Sequence, residues 1–331
     1  MNKTVLIVGG AGYIGSNMTA MLADNGYEPV VFDNLSKGHR TAIGQAQFVH
    51  GDLSDYKLLL ETLHTYDIEA VMHFAASVVV PESVREPLKY YRNNVENAFK
   101  LIGVCLRFGV KAFVFSSSAA VYGVPEEVPV KEEAPLRPIN PYGSSKVMVE
   151  QALEDCSRAY GLRYVSLRYF NVAGADPEAR IGQASREPTH LITRALKAAA
   201  GKLPRIEIYG TDYPTPDGTC IRDYIHVEDL AEAHLLTLEY LLDGGRSRVY
   251  NCGYGRGHSV KEVIEEVKRV TGVDFSVVEG PRRPGDPPEL VADPSRIKAE
   301  LGWSPRYKDL GSIIETAWSW ERRLEDVLRK A

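Results

Sequence analysis

The feature that most constrains the fold is a series of six short, almost uninterrupted apolar segments, separated by stretches suited to helices. A strand that is apolar at nearly every residue is buried on both faces, as in a parallel sheet covered by helices. The repeated alternation therefore predicts an α/β fold built on a doubly wound parallel sheet. The predicted strands are Thr4–Val8, Pro29–Phe32, Gln47–His50, Ala70–Phe74, Ala112–Ser116 and Tyr164–Leu167.

The composition of the sequence changes after the last of these strands, where loops rich in Gly, Pro and Asp separate shorter apolar segments. Short strands are predicted in this second part at Ile206–Tyr209 and Val249–Asn251. We therefore expect a large domain over residues 1–172 and a smaller α/β lobe over residues 173–331 that covers one end of the sheet. The helix predicted near residues 225–245 is expected to return to the large domain.

The composition argues against several classes of protein. Lys and Arg are scattered among acids and the formal net charge is −5, so nucleic acid is not an expected partner. The apolar segments are well short of the ~20 residues that span a membrane. The four cysteines form no C-x-x-C pair, so neither a metal site nor a disulfide framework is predicted. Met1 leads almost directly into the first strand, which leaves no room for a signal peptide and predicts a cytoplasmic protein.

The first predicted strand runs into a turn that contains Gly9, Gly12 and Gly15, and a helical stretch follows. Glycines permit a tight turn and a close approach of backbone to phosphate, while the helix N-terminus supplies free N–H groups. Phe74 and Ala75 end the fourth strand, where a small residue suits backbone that passes against a cofactor. The turn is therefore predicted to bind a dinucleotide.

Asp33 ends the second predicted strand, 18 residues beyond Gly15. A carboxylate at this position can accept hydrogen bonds from both ribose hydroxyls and repels a 2′-phosphate, which favours NAD over NADP. Asp52, at the end of the third strand, could hydrogen-bond the adenine edge. NADP stays open as an alternative because three basic residues follow Asp33 closely: Lys37, His39 and Arg40.

Ser118 lies just beyond the fifth predicted strand, which brings its hydroxyl to the carboxyl edge of the sheet. Asn140 and Pro141 are typical of a helix start, and Tyr142 and Lys146 then share one helix face. To act as a base at pH 7, a phenol needs a pKa roughly three units below its usual value of about 10. Its surroundings must therefore stabilise the phenolate by about 4 kcal/mol. One ammonium about 5 Å away supplies about 3 kcal/mol at a dielectric of about 20. A cationic nicotinamide and the helix N-terminus must supply the remainder.

The sequence resembles, along essentially its whole length, the extended short-chain dehydrogenase/reductase superfamily and within it the UDP-glucose (UDP-galactose) 4-epimerases. The glycine turn and the Tyr-x-x-x-Lys spacing are typical of the superfamily, which has a Rossmann-like fold. The segments more specific to the epimerases are Asp33–Leu35, Ser116–Gly123, Leu167–Asn171 and Tyr209–Val227.

This resemblance implies an enzyme that keeps NAD bound and inverts C4 of a UDP-sugar through a transient 4-keto sugar. Tyr142 would be the base, Lys146 would bind the nicotinamide ribose and tune Tyr142, and Ser118 would bridge to the sugar 4-OH. Residues implied to contact NAD are Tyr13, Ile14, Asp33, Asn34, Asp52, Leu53, Phe74, Ala75, Asn93 and Phe170. Residues implied to hold the UDP moiety are Asn171, Leu191, Tyr209, Arg222, Arg283 and Asp286. A homodimer is expected by the same analogy.

Four positions differ from the usual pattern of these epimerases: Val8, where a Thr is common, Val78, where a basic residue is common, His190 and Leu290. His190 stands where an Asn is typical, beside Leu191. Leu290 stands where some members carry a bulky Tyr that walls off the sugar 2-position, and a leucine could admit an N-acetyl group. UDP-GlcNAc and UDP-GalNAc are therefore candidate substrates beside UDP-glucose and UDP-galactose.

Three alternatives are weighed against this prediction. A nucleotide-sugar 4,6-dehydratase or decarboxylase needs extra acid and base groups beside the serine, where this chain has Ala119 and Ala120, so dehydration is disfavoured. An epimerase of UDP-pentoses or UDP-glucuronate is harder to exclude. A non-catalytic NAD-binding protein would have no need of Ser118, Tyr142 and Lys146 together.

Overall fold

The computed structural model describes residues 3–185, 188–307 and 309–329. Its strands are β1 (Thr4–Val8), β2 (Glu28–Asp33), β3 (Gln47–His50), β4 (Ile68–His73), β5 (Ala112–Ser118), β6 (Tyr164–Tyr169), β7 (Asn171–Ala173), β8 (Ile206–Tyr209), β9 (Ile221–His226), β10 (Arg248–Cys252), β11 (Gly257–Ser259), β12 (Val277–Gly280) and β13 (Glu289–Leu290). Its α-helices are α1 (Tyr13–Asp24), α2 (Tyr56–Thr65), α3 (Val80–Arg85), α4 (Pro87–Tyr90), α5 (Asn97–Phe108), α6 (Pro141–Tyr160), α7 (Leu191–Ala199), α8 (Val227–Leu242), α9 (Val260–Thr271), α10 (Ser295–Leu301) and α11 (Leu310–Arg329). None of the helices in these ranges is long and apolar enough to cross a membrane.

Seven strands form the central sheet in the order β10-β6-β5-β4-β1-β2-β3, and every neighbouring pair is parallel. One face packs against α1 and α8, and the other packs against α2, α5 and α6. Alternate residues of β1 enter the two cores, Val5 and Ile7 on the first face and Leu6 and Val8 on the second. This double burial is the physical reason for the uninterrupted apolar strands, and the prediction of a doubly wound parallel sheet is confirmed.

One predicted strand joins a different sheet from the one expected. The strand predicted over Val249–Asn251 is expected in the smaller lobe, but β10 pairs with β6 and forms the edge of the central sheet. Tyr250 and Cys252 are buried in the same core as Leu167. The chain therefore returns to the large sheet through both α8 and β10, because the free backbone N–H and C=O groups at the edge of β6 pair with a further strand.

The remaining strands form two small sheets. In the first, β9 pairs with β7 and β13 in parallel and with β11 antiparallel, and in the second β8 pairs with β12. Apolar residues of α7, α9 and α11 share a separate core with these strands. Helix α9 begins at a capping box, in which Ser259 Oγ accepts the N–H of Glu262 and the Glu262 carboxylate accepts the N–H of Ser259.

The register of the central sheet brings several strand ends to one edge. Val8 lies opposite Phe32 in β2 and opposite His73 in β4, and His73 lies opposite Phe115 in β5. The residues that follow these positions are therefore neighbours at the carboxyl edge, where parallel sheets bind ligands.

Candidate active site

The glycine turn between β1 and α1 is closed by contacts that exclude side chains. Gly9 has a φ of +81°, and a Cβ on it would lie 2.5 Å from the backbone N of Ala75. A Cβ on Gly15 would overlap the carbonyl oxygen of Gly9. Gly12 is the N-cap of α1 and has no side chain to occupy the helix N-terminus. The backbone N–H groups of the first helical turn therefore stay open to an anion. This cradle fits the pyrophosphate of a dinucleotide.

Asp33 organises the turn from the end of β2. Its Oδ2 accepts the N–H of Ala11 at 3.0 Å, and its Oδ1 accepts the N–H of Leu35 at 2.7 Å. Each carboxylate oxygen has a second lone pair, so the side chain can still accept from two ribose hydroxyls. Arg40, one of the basic residues that left NADP open, lies over the ring of Phe48 at 5.1 Å.

The other residues predicted to contact the cofactor form a polar rim around this turn. Asn34 Nδ2 donates to Asp52 Oδ2 at 2.6 Å, and hydrogen bonds from Ser54 hold the pKa of Asp52 below its usual range. The N–H groups of Phe74 and Ala75 both donate to the carbonyl of Val8, which fixes the close approach of β4 to the glycine turn.

Four further residues predicted to contact NAD are held in place by hydrogen bonds or by apolar packing. The Tyr13 hydroxyl donates to the carbonyl of Gly174 at 2.7 Å, which ties the turn to the start of the second part of the chain. Leu53 is buried in the core beneath β2 and β3, whereas Ile14 packs against the core of α1 and α8. Asn93 Nδ2 donates to Asn94 Oδ1 at 3.0 Å.

Helix α6 carries the predicted base, and its start is capped. Asn140 Oδ1 accepts the N–H of Gly143 at 2.9 Å and Pro141 occupies the first turn, as predicted. Burial raises the pKa of the Tyr142 phenol, and a hydrogen bond with the Ser118 side chain acts in the opposite direction. The pKa of the phenol therefore stays above its usual value, and an added positive charge beside it is needed to make it a base at neutral pH.

Lys146 is buried beneath Tyr142 and held at a defined position. Its Nζ donates to the carbonyl of Ser116 at 2.7 Å and lies 5.9 Å from the centre of the Tyr142 ring. Burial lowers the pKa of Lys146 to about 7, while the Glu150 carboxylate acts to raise it. The ammonium and amine forms therefore have similar free energies near neutral pH.

Two arginines converge on one carboxylate in the second part of the chain. Arg283 donates through Nε and Nη2 to Asp286 Oδ2 at 2.9 and 2.8 Å, and Arg222 Nη2 lies 3.7 Å from Asp286 Oδ1. The Arg283 guanidinium lies 4.9 Å from the ring centre of Tyr209. Two guanidinium groups and one carboxylate leave a net positive charge, which suits a pyrophosphate.

Leu290 borders this charged cluster. It lies opposite Arg222 in the pairing of β13 with β9, and it is buried in one apolar cluster with Phe170 and Ala119. The cluster therefore joins a predicted cofactor residue, Phe170, to the position that could decide tolerance of an N-acetyl group.

The remaining predicted substrate residues are more dispersed. Asn171 begins β7 and lies opposite Tyr224, while Leu191 begins α7 and packs against the core of the second part. His190 is exposed, and its Nδ1 lies 2.8 Å from Gln183 Nε2. Among the described residues no hydrogen bond links His190 to the cluster of Arg222, Arg283 and Asp286.

Three residues at this edge, Glu150, Arg168 and Tyr169, have no predicted role, although the last two lie within the epimerase-specific segment Leu167–Asn171. Glu150 lies one turn beyond Lys146 on α6 and is buried against Ser117 and Arg168. The Tyr169 hydroxyl hydrogen-bonds Ser116 Oγ. The i, i+4 spacing that pairs Tyr142 with Lys146 also places Glu150 on the same face, and this was the available signal.

Comparison with known proteins gives one family. Residues 5–253 match the model of the NAD dependent epimerase/dehydratase family. A UDP-glucose 4-epimerase of Azospirillum brasilense is 55% identical over 328 residues, covering 99% of this chain and 94% of the relative. The crystal structure of UDP-glucose 4-epimerase from Brucella ovis in complex with NAD has a TM-score of 0.93 at 50% identity, with 96% of this chain and 98% of that chain covered. The UDP-Glc/GlcNAc 4-epimerase from Campylobacter jejuni has a TM-score of 0.85 at 47% identity, with coverages of 97% and 100%.

Proposed function

Since the chain belongs to the NAD dependent epimerase/dehydratase family, we propose that it interconverts UDP-galactose and UDP-glucose with Tyr142 as the base at sugar C4. The observation that carries the proposal is the meeting of Ser118 from β5 with Tyr142 and Lys146 from α6, at the edge where the glycine turn opens. Bound NAD supplies the acceptor and then the donor of the C4 hydride.

The chain's own residues then divide the remaining work. Tyr142 removes the proton of the 4-OH and later returns it, which is general acid–base chemistry. Ser118 holds the 4-OH against the phenol, and Lys146 binds the nicotinamide ribose while its charge favours the phenolate. Arg222 and Arg283 hold the pyrophosphate, so the 4-keto sugar can turn about that anchor and present its other face.

The remaining predicted contacts complete the proposed site. We assign the pyrophosphate of NAD to the turn of Gly9, Gly12 and Gly15, and the adenosine ribose to Asp33. The further proposed NAD contacts are Tyr13, Ile14, Asn34, Asp52, Leu53, Phe74, Ala75, Asn93 and Phe170. The further proposed UDP-sugar contacts are Asn171, His190, Leu191, Tyr209, Asp286 and Leu290.

The proposal is tested by incubating the purified protein, without added NAD, with single UDP-sugars and identifying the products by NMR. UDP-galactose should yield UDP-glucose. Tyr142→Phe should lower kcat by about 10²–10⁴-fold, because the phenol oxygen is the proton acceptor. Tyr27→Phe, at a tyrosine that precedes β2 on the side of the sheet opposite the site, serves as the control and should keep full activity. Full activity of Tyr142→Phe would refute the assignment of the base.

The alternative reactions are separated by the same products. Ala119 and Ala120 carry no proton donor, which supports epimerisation over loss of a hydroxyl. UDP-pentoses and UDP-glucuronate belong in the substrate panel, and turnover of either above that of UDP-galactose would replace the proposed hexose.

A second activity, on N-acetylated sugars, is supported by Leu290. A leucine leaves more room beside the sugar 2-position than a tyrosine would, and the similar Campylobacter jejuni protein is named for UDP-Glc/GlcNAc. A snug apolar pocket discriminates between substrates that differ by a small group by about 10–200-fold. Because Leu290 leaves room for the N-acetyl group, we expect weaker discrimination, with turnover of UDP-GalNAc within about tenfold of that of UDP-galactose. Leu290→Tyr should lower turnover of UDP-GalNAc selectively. Equal loss with both sugars would contradict this role.

The proposed enzyme acts in the cytoplasm as a homodimer built from the large domain over residues 1–172. Its support is a set of exposed apolar side chains on α5 and α6, namely Phe99, Phe108, Met148 and Tyr160. Helices α5 and α6 share one core, and apolar side chains exposed on neighbouring helices are typical of a protein interface. Light scattering should give twice the chain mass, and the mass of one chain would contradict the dimer.

A further inference from the structure

Two consecutive residues of β5 are held by two side chains of α6 that lie one helical turn apart. Lys146 Nζ donates to the carbonyl of Ser116 at 2.7 Å, and Ser117 Oγ donates to Glu150 Oε1. All four residues are buried. The next residue along the strand is Ser118, so the hydroxyl proposed to hold the sugar 4-OH directly follows a doubly fixed segment.

The Glu150 carboxylate also contacts the neighbouring strand. Arg168 of β6 donates through Nε to Oε1 at 3.0 Å and through Nη2 to Oε2 at 2.6 Å. Arg168 lies directly opposite Ser117 in the pairing of β5 with β6. One carboxylate therefore joins α6 to the carboxyl ends of two adjacent strands.

We propose that Glu150 and Ser117 are positioning residues for the C4 chemistry, and that their hydrogen bond sets the place of Ser118 relative to Tyr142. The inference rests on the proposed roles of Ser118 and Tyr142. The Glu150 carboxylate, which accepts this bond, lies on the same helix as Tyr142. The bond therefore holds the end of β5 that carries Ser118 at a defined distance from the helix that carries Tyr142. Neither residue touches the sugar or the cofactor in this proposal.

The chemistry of the contact explains why geometry depends on it. Apolar packing between a helix and a strand is not directional, whereas a charge-assisted hydrogen bond is short and oriented. The bidentate Arg168 fork fixes the plane of the carboxylate, and the carboxylate then orients the Ser117 hydroxyl. An error of about 1 Å in the place of a reacting group can cost about 10²-fold in rate.

The choice of variant follows from burial. Removing Glu150 would leave the Arg168 guanidinium buried without its counter-ion, which is strongly destabilising and would confuse folding with positioning. Ser117→Ala keeps the ion pair and deletes only the bond to the strand. Ser166→Ala is a matched control, because Ser166 is equally buried on β6 and its hydroxyl has no hydrogen-bond partner among the described residues.

The experiment compares the two variants with the parent as purified enzyme with its bound nucleotide. Ser117→Ala should lower kcat for UDP-galactose about tenfold, with KM and bound NAD per chain unchanged. Ser166→Ala should leave all three unchanged. Equal kcat in the two variants would overturn the inference, and so would a fall of NAD content in proportion to kcat, since that shows only a structural role.

Tyr142→Phe, measured alongside, separates this inference from the proposed function. If Tyr142→Phe is inactive while Ser117→Ala is fully active, the base assignment stands and the positioning role fails. If Tyr142→Phe is active, the proposed site itself is wrong, whatever Ser117→Ala does.

Discussion

Single glycines of the turn between β1 and α1 act in different ways on folding and on binding. A Cβ on Gly15 would overlap the Gly9 carbonyl oxygen, whereas the nearest atom to a Cβ on Gly12 is that same oxygen at 3.4 Å. Gly12 also has a φ of −75° and a ψ of 175°, which any residue can adopt. The fold therefore excludes a side chain at position 15 and tolerates one at position 12.

We predict opposite outcomes for two matched substitutions in this turn. Gly15→Ala should lower the free energy of unfolding of the nucleotide-free protein by about 1–3 kcal/mol, because the added methyl overpacks the turn. Gly12→Ala should change it by less than about 0.5 kcal/mol but reduce bound NAD at least about tenfold, because its methyl occupies the approach of the pyrophosphate. Urea unfolding and the absorbance of released nucleotide measure the two effects. Retention of NAD by Gly12→Ala would contradict the assignment of the turn.

The sequence predicted which residues share a face at this site, but the protonation of the site depends on packing. The i, i+4 spacing of Tyr142 and Lys146 follows from helical geometry alone. From the sequence alone, Lys146 is expected to be a fully charged neighbour of the phenol. In the structure burial lowers the pKa of Lys146 to about 7 and raises that of Tyr142. Desolvation is a tertiary property, so spacing could not predict either direction.

At the scale of elements, the N-terminus of α6 connects stability with activity. Asn140 caps the helix whose second residue is Tyr142, and a lost cap frays the first turn of a helix. Ser259 caps α9, which packs in the core of the second part away from Tyr142.

We predict that Asn140→Ala and Ser259→Ala each lower the free energy of unfolding by about 0.5–2 kcal/mol. Only Asn140→Ala should also lower kcat, by about tenfold, because its frayed turn carries the base. Chemical denaturation and steady-state turnover of UDP-galactose give the two numbers. A similar loss of kcat in both variants would mean that general destabilisation, rather than the position of Tyr142, controls the rate.

The bounds of the strands show where sequence patterns stop being informative. The apolar pattern predicts that β5 ends at Ser116 and β6 at Leu167, but both strands continue for two residues. The added residues are polar and remain paired, because Glu150 satisfies Ser117 and Arg168 within the fold. The apolar pattern fails to predict these strand ends at the candidate site, because buried polar groups with tertiary partners interrupt the pattern without ending the strand.

At the scale of the whole molecule, the core contains a histidine that stays neutral. His234 of α8 is fully buried, with its ring 4.9 Å from that of Phe74. Its Nδ1 lies 2.9 Å from the carbonyl of Leu230 and must therefore donate, while Nε2 has no partner among the described residues. Burial lowers the pKa of His234 to about 4. Protonation from solvent thus favours the unfolded chain.

The depressed pKa gives a sign and a pH window for stability. The stabilising contribution of neutral His234 is complete above the unfolded pKa of about 6.5 and is lost as the pH falls toward 4. His234→Gln cannot be protonated, so its stability deficit relative to the parent should shrink by about 2 kcal/mol between pH 6.5 and pH 5. His64→Gln, at an exposed position of α2, is the control for the exchange of an imidazole for an amide. Because each variant is compared with the parent at each pH, groups with raised pKa values, such as Asp223, cancel from the comparison. Urea unfolding at several pH values measures the two differences, and a constant deficit for His234→Gln would mean that the parent accommodates the imidazolium in its core.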